Sequence, residues 1–172
     1  IEFVIRNIAA GSLTNRLGIE EGTVLDYPLI EYCLKNDDLG DPLVSREHIL
    51  SFEWMNVMEL ELINEQCKRI NDFLQGMFRG VGIKLVDFKI EFGRSSKDNN
   101  IILADEISPD TCRLWDSTSE KKLDKDIFRN DLGNLIEGYQ EVAKRLNILH
   151  EQYNNVRPIK FPKPKAVKIK KK

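Results

Sequence analysis

Three charged residues alternate with apolar ones in residues 85–93, a stretch with the pattern of a β-strand. With the two-residue period of a strand, Asp87, Lys89 and Glu91 share one face. The apolar residues between them, Val86 included, share the other face and should pack inward. Two carboxylates flanking an ammonium suit a divalent cation and a polyphosphate, because Mg²⁺ prefers one or two carboxylates completed by water and substrate phosphates. The alternative is an exposed row of salt bridges, worth less than about 1 kcal/mol per pair.

A second apolar run, residues 101–107, adds a third acid to this group. The polar run over residues 94–100 separates the two apolar stretches, so together they predict an antiparallel β-hairpin. Folding back in this way brings Asp105 to within a residue or two of the level of Asp87 and Lys89, close enough for diagonal cross-strand contact. Three acids and a lysine in one small region favour a metal and nucleotide site.

The elements that must position these side chains indicate an α+β fold. Residues 1–5 alternate like a strand, and residues 56–79 and 128–146 carry apolar side chains at helical spacing. Both helical stripes are assigned to core packing. Residues 19–50 are predicted to be mostly irregular, with a short strand over residues 29–34. With the hairpin, the pattern predicts an antiparallel sheet flanked by helices.

A turn of small residues, 9–12, follows Arg6 and leads into a short helix that should end at Gly18. Ser12 is the predicted N-cap of this helix. Free N–H groups at a helix N-terminus attract anions, and the guanidinium of Arg6 adds further donors. From these residues alone, a plain helix cap and a phosphate pocket are both open.

Composition limits the class of protein. The chain has 172 residues, of which 41% are apolar and 31% charged, as expected for a globular domain with one substantial core. It lacks an apolar run of about 18 residues and a signal-peptide pattern, which predicts a soluble intracellular protein without a membrane partner. The three cysteines and two histidines lie far apart, so neither a zinc site nor a disulfide framework is predicted.

The charge of the chain is unevenly distributed. Eight of its 26 basic residues lie in residues 155–172, which contain no acid, whereas all 28 acidic residues lie before them. The acidic body argues against a nucleic-acid groove, because such binding depends on neutralising phosphates with Lys and Arg. The basic segment is predicted to be a flexible tail, and a weak tether to a polyanion or a membrane surface is the alternative.

Three separate stretches of the sequence, called blocks below, resemble one protein family. Residues 85–93 resemble the second signature of the SAICAR synthetases, the ATP-dependent ligases of purine biosynthesis. Residues 6–12 resemble their first signature, and residues 105–110 with residues 113–116 resemble a third block. The blocks occur in family order, and the similarity extends over residues 1–149, which makes it more specific than any single motif.

The resemblance implies a reaction and its ligands. ATP would phosphorylate the carboxylate of carboxyaminoimidazole ribonucleotide, and the amine of L-aspartate would then displace phosphate to form an amide. The implied cofactors are ATP and Mg²⁺, the implied location is the cytoplasm, and the implied assembly is a homodimer or higher homo-oligomer. Phosphorylating a carboxylate depends on positioning and charge neutralisation, so no nucleophilic side chain is required.

The resemblance also assigns roles around the nucleotide. Glu91 and Asp105 are the predicted Mg²⁺ ligands, directly or through water. Lys89 is predicted to contact an ATP phosphate, and Lys35 to approach the nucleotide. Asp87 is predicted to orient the ribonucleotide or a metal-bound water.

The remaining roles concern the ribonucleotide. The first signature assigns Arg6 and Ser12 to its phosphate, and Arg113 in the third block should converge on the same ligand. A further block that ends in Asp-Pro implicates Asp41 at the imidazole end of the substrate, although turn formation alone would also explain the acids around it. The group that deprotonates L-aspartate is not identified.

The family pattern predicts a division of the chain into a larger α+β lobe, residues 1–154, and the basic tail, residues 155–172. The chain begins at Ile1, already within a strand pattern. In the family, a small β-rich lobe with a Gly-rich hairpin over the ATP phosphates comes before this point. We therefore expect the 172 residues alone to be inactive or nearly so.

Two other functional classes stay open. An Asp-x-Lys strand, here Asp87 to Lys89, also resembles inositol-phosphate kinases, which would make the protein a phosphotransferase acting on a hydroxyl group. The block over residues 6–12 argues against this alternative. The other class is a non-catalytic nucleotide-binding module.

Overall fold

A computed structural model describes residues 1–129 and 133–148 of the chain. These residues form an antiparallel sheet flanked by helices, which confirms the predicted α+β class. Within these ranges, no helix combines the length and apolar character needed to span a membrane. The predicted tail, residues 155–172, lies outside the described residues, and the division at residue 154 stays a prediction.

The elements follow one another in this order: β1 (Glu2–Ile8), α1 (Ser12–Leu17), β2 (Val24–Cys33), β3 (Leu43–Val44), α2 (Arg46–Ser51), α3 (Val57–Gly80), β4 (Ile83–Arg94), β5 (Ile101–Ala104), β6 (Cys112–Asp116), α4 (Asp126–Arg129) and α5 (Leu135–Arg145). The strand order is β3-β2-β1-β4-β5, and β6 also pairs with β4. Because β4 pairs with β1, β5 and β6, it is the strand around which the described sheet is built.

Helix α3 covers one face of the sheet, as its apolar spacing predicts. Its N-cap Asn56 accepts a hydrogen bond from the Glu59 amide, and the Glu59 side chain accepts one in return from the Asn56 amide. This capping box satisfies donors that would otherwise be unpaired at the start of the helix. The buried side chains of α3 pack against alternate residues of β1 and β4, including Phe3, Ile5 and Phe88. The opposite face of these strands is therefore left for polar side chains.

The alternation predicted along β4 is interrupted near its start. Leu85 and Phe88 both belong to the main core, whereas Val86 packs with a separate cluster that includes Ile8 and Trp115. The prediction that Val86 shares a face with Phe88 is therefore wrong. The pairing of β4 with β6 shifts register between Leu85 and Asp87, and a bulge of this kind reverses the side-chain alternation locally.

The turn after β1 differs from the prediction in one respect. Gly11, with φ 57° and ψ −130°, is the N-cap of α1, and no side chain caps this helix. Ser12 is its first helical residue. The prediction of Ser12 as N-cap is therefore wrong, because its hydroxyl instead accepts a hydrogen bond from Arg6 at 3.1 Å. Gly18 ends α1 in the left-handed region at φ 63°, as predicted.

Two further segments contain more structure than the local pattern indicated. Strand β2 begins at Val24 rather than at residue 29, since antiparallel pairing with β1 supplies hydrogen bonds that the sequence around Pro28 does not suggest. The C-terminal helical stripe corresponds to two described helices, α4 and α5, rather than one.

Candidate active site

A cavity of about 500 Å³ lies on the face of the sheet opposite α3. Residues of β1 show why the polar side chains gather there. Phe3 and Ile5 are buried under α3, whereas Glu2, Val4 and Arg6 line the cavity. The lining includes six of the residues predicted from sequence, namely Arg6, Asp41, Asp87, Lys89, Asp105 and Arg113.

Three of these side chains form a row across three adjacent strands. Asp87 on β4 lies directly opposite Arg6 on β1 and directly opposite Arg113 on β6. Its Oδ2 atom accepts hydrogen bonds from Arg6 Nη1 at 2.7 Å and from Arg113 Nη1 at 2.8 Å. Burial raises the pKa of Asp87, although the charges of Arg113 and Arg6 oppose the rise. The carboxylate, 3% exposed, therefore positions two guanidinium groups side by side.

Asp87 is separated from the other predicted acids. Four residues of an extended strand span about 13 Å, so Asp87 and Glu91 cannot share one ion. The expectation that three acids gather at one point is therefore replaced by two groups, of which the arginine row around Asp87 is one. The other consists of Lys35, Glu91 and Asp105, together with Lys89.

In the second group each carboxylate has a cation nearby. Lys89 Nζ donates to Glu2 Oε1 at 2.7 Å, and Lys35 Nζ donates to Glu91 Oε1 at 2.6 Å. Burial alone would lower the pKa of Lys89, but the hydrogen bond to Glu2 raises it above its usual range. The hydrogen bond to Glu91 likewise raises the pKa of Lys35, with Asp105 contributing through its charge. Both lysines are therefore cationic at neutral pH.

Asp105 lies just after β5, whose last residue, Ala104, is opposite Glu91. Hydrogen bonding to Glu106 lowers the pKa of Asp105, and Glu91 and Lys35 add smaller effects in the same direction. Asp105 also has a left-handed backbone at φ 67°. Such a conformation is uncommon for residues other than glycine and aims the side chain away from the regular strand direction.

Glu91 and Asp105 are neighbouring carboxylates that could supply two ligands to a Mg²⁺ ion. Within residues 1–129 and 133–148, no group of three or more His, Cys, Asp or Glu side chains is arranged to hold a metal ion. A site made only of protein ligands is thus not formed there. Mg²⁺ commonly takes one or two carboxylates and completes its shell with water and substrate phosphates, and two neighbouring carboxylates meet that need.

Asp41 reaches the cavity from a short loop after β2. Its Oδ1 atom accepts a hydrogen bond from the Asn36 amide at 2.8 Å, and its own backbone is left-handed at φ 49°. The preceding residue, Gly40, is also left-handed at φ 69°. Asp41 therefore stabilises the loop while lining the cavity, so the two interpretations from sequence are compatible.

The cavity also has charged lining residues that were not selected from the sequence: Glu2, Glu106, Asp110, Lys125 and Arg129. A signal existed for Glu2, because the two-residue period of β1 places it on the same face as Arg6. No comparable signal exists for Lys125 and Arg129. They reach the cavity because Arg113 Nε binds Asp126 at 2.7 Å, and Asp126 is the first residue of the short helix α4, which Lys125 precedes and Arg129 ends.

A second cavity, of about 530 Å³, lies near Asn7, Gln75 and the end of α3. Its buried amides satisfy one another. Asn7 Nδ2 donates to Asn71 Oδ1 at 2.8 Å, and Gln75 Nε2 donates to Asn7 Oδ1 at 3.0 Å. Most residues that line this cavity are uncharged, whereas most of those that line the cavity over β1, β4 and β6 are charged, so the latter is the stronger candidate site for phosphates and a metal ion.

The sequence profile of the SAICAR synthetase family matches residues 1–146. The chain belongs to the SAICAR synthetase family. Phosphoribosylaminoimidazole-succinocarboxamide synthase from Pelagibacter ubique is 63% identical over 173 aligned positions, which cover 99% of this chain and 66% of that protein. The chain thus spans just under two thirds of the length of this relative.

Solved SAICAR synthetase structures share the fold. The crystal structure of the Ehrlichia chaffeensis enzyme is 53% identical with a TM-score of 0.84, over 87% of this chain and 64% of that chain. A SAICAR synthetase in complex with ADP is 46% identical with a TM-score of 0.81, over 84% of this chain and 61% of that chain. These likenesses confirm the family and fold that the three sequence blocks indicated.

Proposed function

We propose that this chain supplies the ribonucleotide site and much of the metal and nucleotide site of an ATP-dependent ligase of purine biosynthesis. Its substrates would be carboxyaminoimidazole ribonucleotide and L-aspartate, and its products SAICAR, ADP and phosphate. The observation that carries the proposal is a pair of neighbouring charged groups. The row Arg6, Asp87 and Arg113 lines the cavity. In the cluster of Lys35, Glu91 and Asp105, Asp105 also lines the cavity, whereas Lys35 and Glu91 are linked to it through their ion pair and charges rather than lining it. The family relatives and the ADP complex of one of them support it.

The arginine row is the proposed site for the ribonucleotide phosphate. Arg6 and Arg113 present guanidinium donors, which recognise phosphate oxygens in pairs. The Ser12 hydroxyl, held by Arg6, adds a donor at the same turn. Asp41, on the loop that follows β2, is the proposed contact for the imidazole end.

The lysine and carboxylate cluster is the proposed site for ATP and Mg²⁺. Glu91 and Asp105 would hold the ion, which neutralises phosphate charge as the phosphoryl group is transferred. Lys89, which lines the cavity, would contact a phosphate of ATP. Lys35 would exchange its hydrogen bond with Glu91 for one with a phosphate oxygen.

The reaction follows from placing these ligands side by side. A carboxylate oxygen of the ribonucleotide attacks the γ-phosphorus of ATP, the bond to the ADP oxygen breaks, and an acyl phosphate forms. The amine of L-aspartate then attacks the acyl carbon, loses a proton, and phosphate leaves. Holding the two reactants at short distance is the main contribution of this chain, because a well-oriented intramolecular step gains a large effective concentration.

An activity assay of the intact enzyme that contains this chain tests the proposal. We expect ADP release to require both carboxyaminoimidazole ribonucleotide and L-aspartate, and mass spectrometry to find SAICAR. ADP release that needs a hydroxyl acceptor and not L-aspartate would instead establish a kinase. Nucleotide binding without turnover under any substrate combination would establish a non-catalytic module.

The assembly and location of the protein are also proposals. We expect a homodimer or higher homo-oligomer, which sedimentation of the purified protein at several concentrations would detect. We expect a cytoplasmic location, which fractionation of cells expressing the native gene would test.

A further inference from the structure

The two arginines of the row are bound in the same way. Arg6 donates through Nε to Glu31 at 2.7 Å and through Nη1 to Asp87 at 2.7 Å. Arg113 donates through Nε to Asp126 at 2.7 Å and through Nη1 to Asp87 at 2.8 Å. Each guanidinium is therefore fixed at two of its three nitrogens by carboxylates.

The remaining guanidinium nitrogen of each arginine, Nη2, lies beside the same backbone turn, residues 11–12. Arg6 Nη2 donates to Ser12 Oγ at 3.1 Å. The guanidinium of Arg113 lies so close to Gly11 that a Cβ atom there would overlap its Nη2 and Cζ atoms. Two Nη2 groups thus converge on residues 11–12, where a phosphate would accept hydrogen bonds from both.

We propose that Glu31 is a positioning residue of the ribonucleotide phosphate site, resting on the function proposed above. It holds Arg6 by Nε so that Nη2 faces the turn, as Asp126 does for Arg113 on the other side of Asp87. The Glu31 side chain is 11% exposed and does not line the cavity, so it acts through Arg6 rather than on the ligand.

The ionisation of Glu31 is consistent with this role. Burial alone would raise its pKa, but hydrogen bonds from Arg16 and Arg6 bring the pKa below its ordinary value. Arg16 binds the other oxygen of Glu31 at 2.6 Å, and its own side chain is 35% exposed. Glu31 is therefore an anion held between an outer arginine and an inner one.

Positioning and simple charge predict opposite effects at Glu31. If charge alone decided phosphate affinity, neutralising this carboxylate would make the site more positive and would tighten binding. If Glu31 positions Arg6, its loss frees a side chain with several rotatable bonds, and ordering that side chain again on binding reduces affinity. The direction of the change therefore separates the two explanations.

The experiment compares Glu31→Gln, Glu31→Asp and Arg16→Gln in the intact enzyme. Glu31→Gln removes the charge, and Glu31→Asp keeps the charge but shortens the side chain by one methylene. Arg16→Gln is the matched control, because it removes only the outer partner of Glu31. We expect both Glu31 variants to raise KM for the ribonucleotide about tenfold, equivalent to about 1.4 kcal/mol, with kcat and KM for ATP nearly unchanged. Arg16→Gln should change each constant less than about twofold, as an exposed ion pair would.

Binding of inorganic phosphate, measured by calorimetry on the same proteins, provides a readout that needs no turnover. We expect both Glu31 variants to bind phosphate more weakly than the parent protein and Arg16→Gln. Tighter or unchanged phosphate binding by Glu31→Gln would overturn the proposal. So would a wild-type KM in Glu31→Asp, or an equal loss for every substrate. Failure of the ligase assay in the parent enzyme would refute the proposed function. The phosphate titration would still decide whether Glu31 positions Arg6, because it does not depend on turnover.

Discussion

Lys35 Nζ lies 2.6 Å from Glu91 Oε1, so a lysine contacts the carboxylate that we propose as a metal ligand. Lys35 lies just after β2 and Glu91 lies on β4, 56 positions apart in the chain. This ion pair neutralises Glu91 in the absence of a bound ion. It also keeps the Lys35 side chain, which is 55% exposed, next to the proposed triphosphate site.

Removing this lysine should change metal binding before any chemistry occurs. We expect Lys35→Gln to strengthen binding of free Mg²⁺ severalfold, because Glu91 loses its competing cation, and to raise KM for ATP. Calorimetric titration with Mg²⁺ and steady-state kinetics would measure the two effects. Unchanged Mg²⁺ affinity would show that the ion does not use Glu91.

Removing the carboxylates should affect turnover. In the intact enzyme we expect Glu91→Gln or Asp105→Asn to lower kcat about 100-fold or more and to raise the Mg²⁺ concentration required, since charge neutralisation is lost at the reacting phosphate. Glu120→Gln is a matched control, because Glu120 also pairs with a lysine but belongs to neither of the two charged groups. Wild-type kinetics for both acid variants across a Mg²⁺ titration would contradict the metal assignment.

The arginine row should contribute to stability as well as to binding. Asp87→Asn leaves the buried guanidinium of Arg6 and the partly buried one of Arg113 without their shared anion, and breaking a buried ion pair typically costs about 3–5 kcal/mol. We expect a loss of this size in the free energy of unfolding measured with urea. Glu65→Gln, which breaks only the exposed pair with Lys68, should cost less than about 0.5 kcal/mol. Similar losses in both variants would refute a structural role for Asp87.

Alanine substitutions at Gly11 and Gly18 distinguish the effect of backbone strain from the effect of steric contact with a side chain. Both have positive φ, 57° and 63°, so alanine at either position is strained. Only at Gly11 would the added Cβ also displace a guanidinium, that of Arg113, whereas nothing lies within 4 Å at Gly18. We expect both alanine variants to lower the free energy of unfolding by about 1 kcal/mol or more, and only Gly11→Ala to raise KM for the ribonucleotide. Equal kinetics in the two variants would contradict the close approach of Arg113.

Asp124 should give the protein a measurable pH dependence. Burial raises the pKa of this carboxyl to about 6, although the amides of Asp126 and Leu114 donate to it. The folded state then holds a proton that the unfolded state has released, so stability should fall as pH rises from about 4 to about 6 and level off above. The shift corresponds to at most about 3 kcal/mol.

Urea unfolding between pH 4 and pH 7 would test this, with Asp124→Asn as the comparison. The variant lacks the titrating carboxyl group but keeps one hydrogen-bond acceptor. Any destabilisation by the asparagine itself is therefore independent of the protonation of residue 124, and the pH-dependent part of the difference comes from Asp124. We expect the difference in unfolding free energy between the parent and Asp124→Asn to decline with pH over this interval. A difference that rises or stays level would show that Asp124 is ionised throughout.

The sequence by itself determined the features that depend on local repetition. The two-residue period placed Asp87, Lys89 and Glu91 on one face of a strand, and helical spacing of apolar residues defined α3 almost to its ends. Three ordered blocks also indicated the family, because side-chain types at fixed spacing are a property of the chain alone.

The tertiary structure decided which side chains meet. Arg6 and Asp87 are 81 positions apart, and their contact exists because β1 and β4 pair in one particular register. The register, the bulge at Val86 and the contact of Arg113 with Asp126 follow from pairing and packing between separate elements. A local pattern carries no information on these, since one residue of slip would exchange every inward side chain for an outward one.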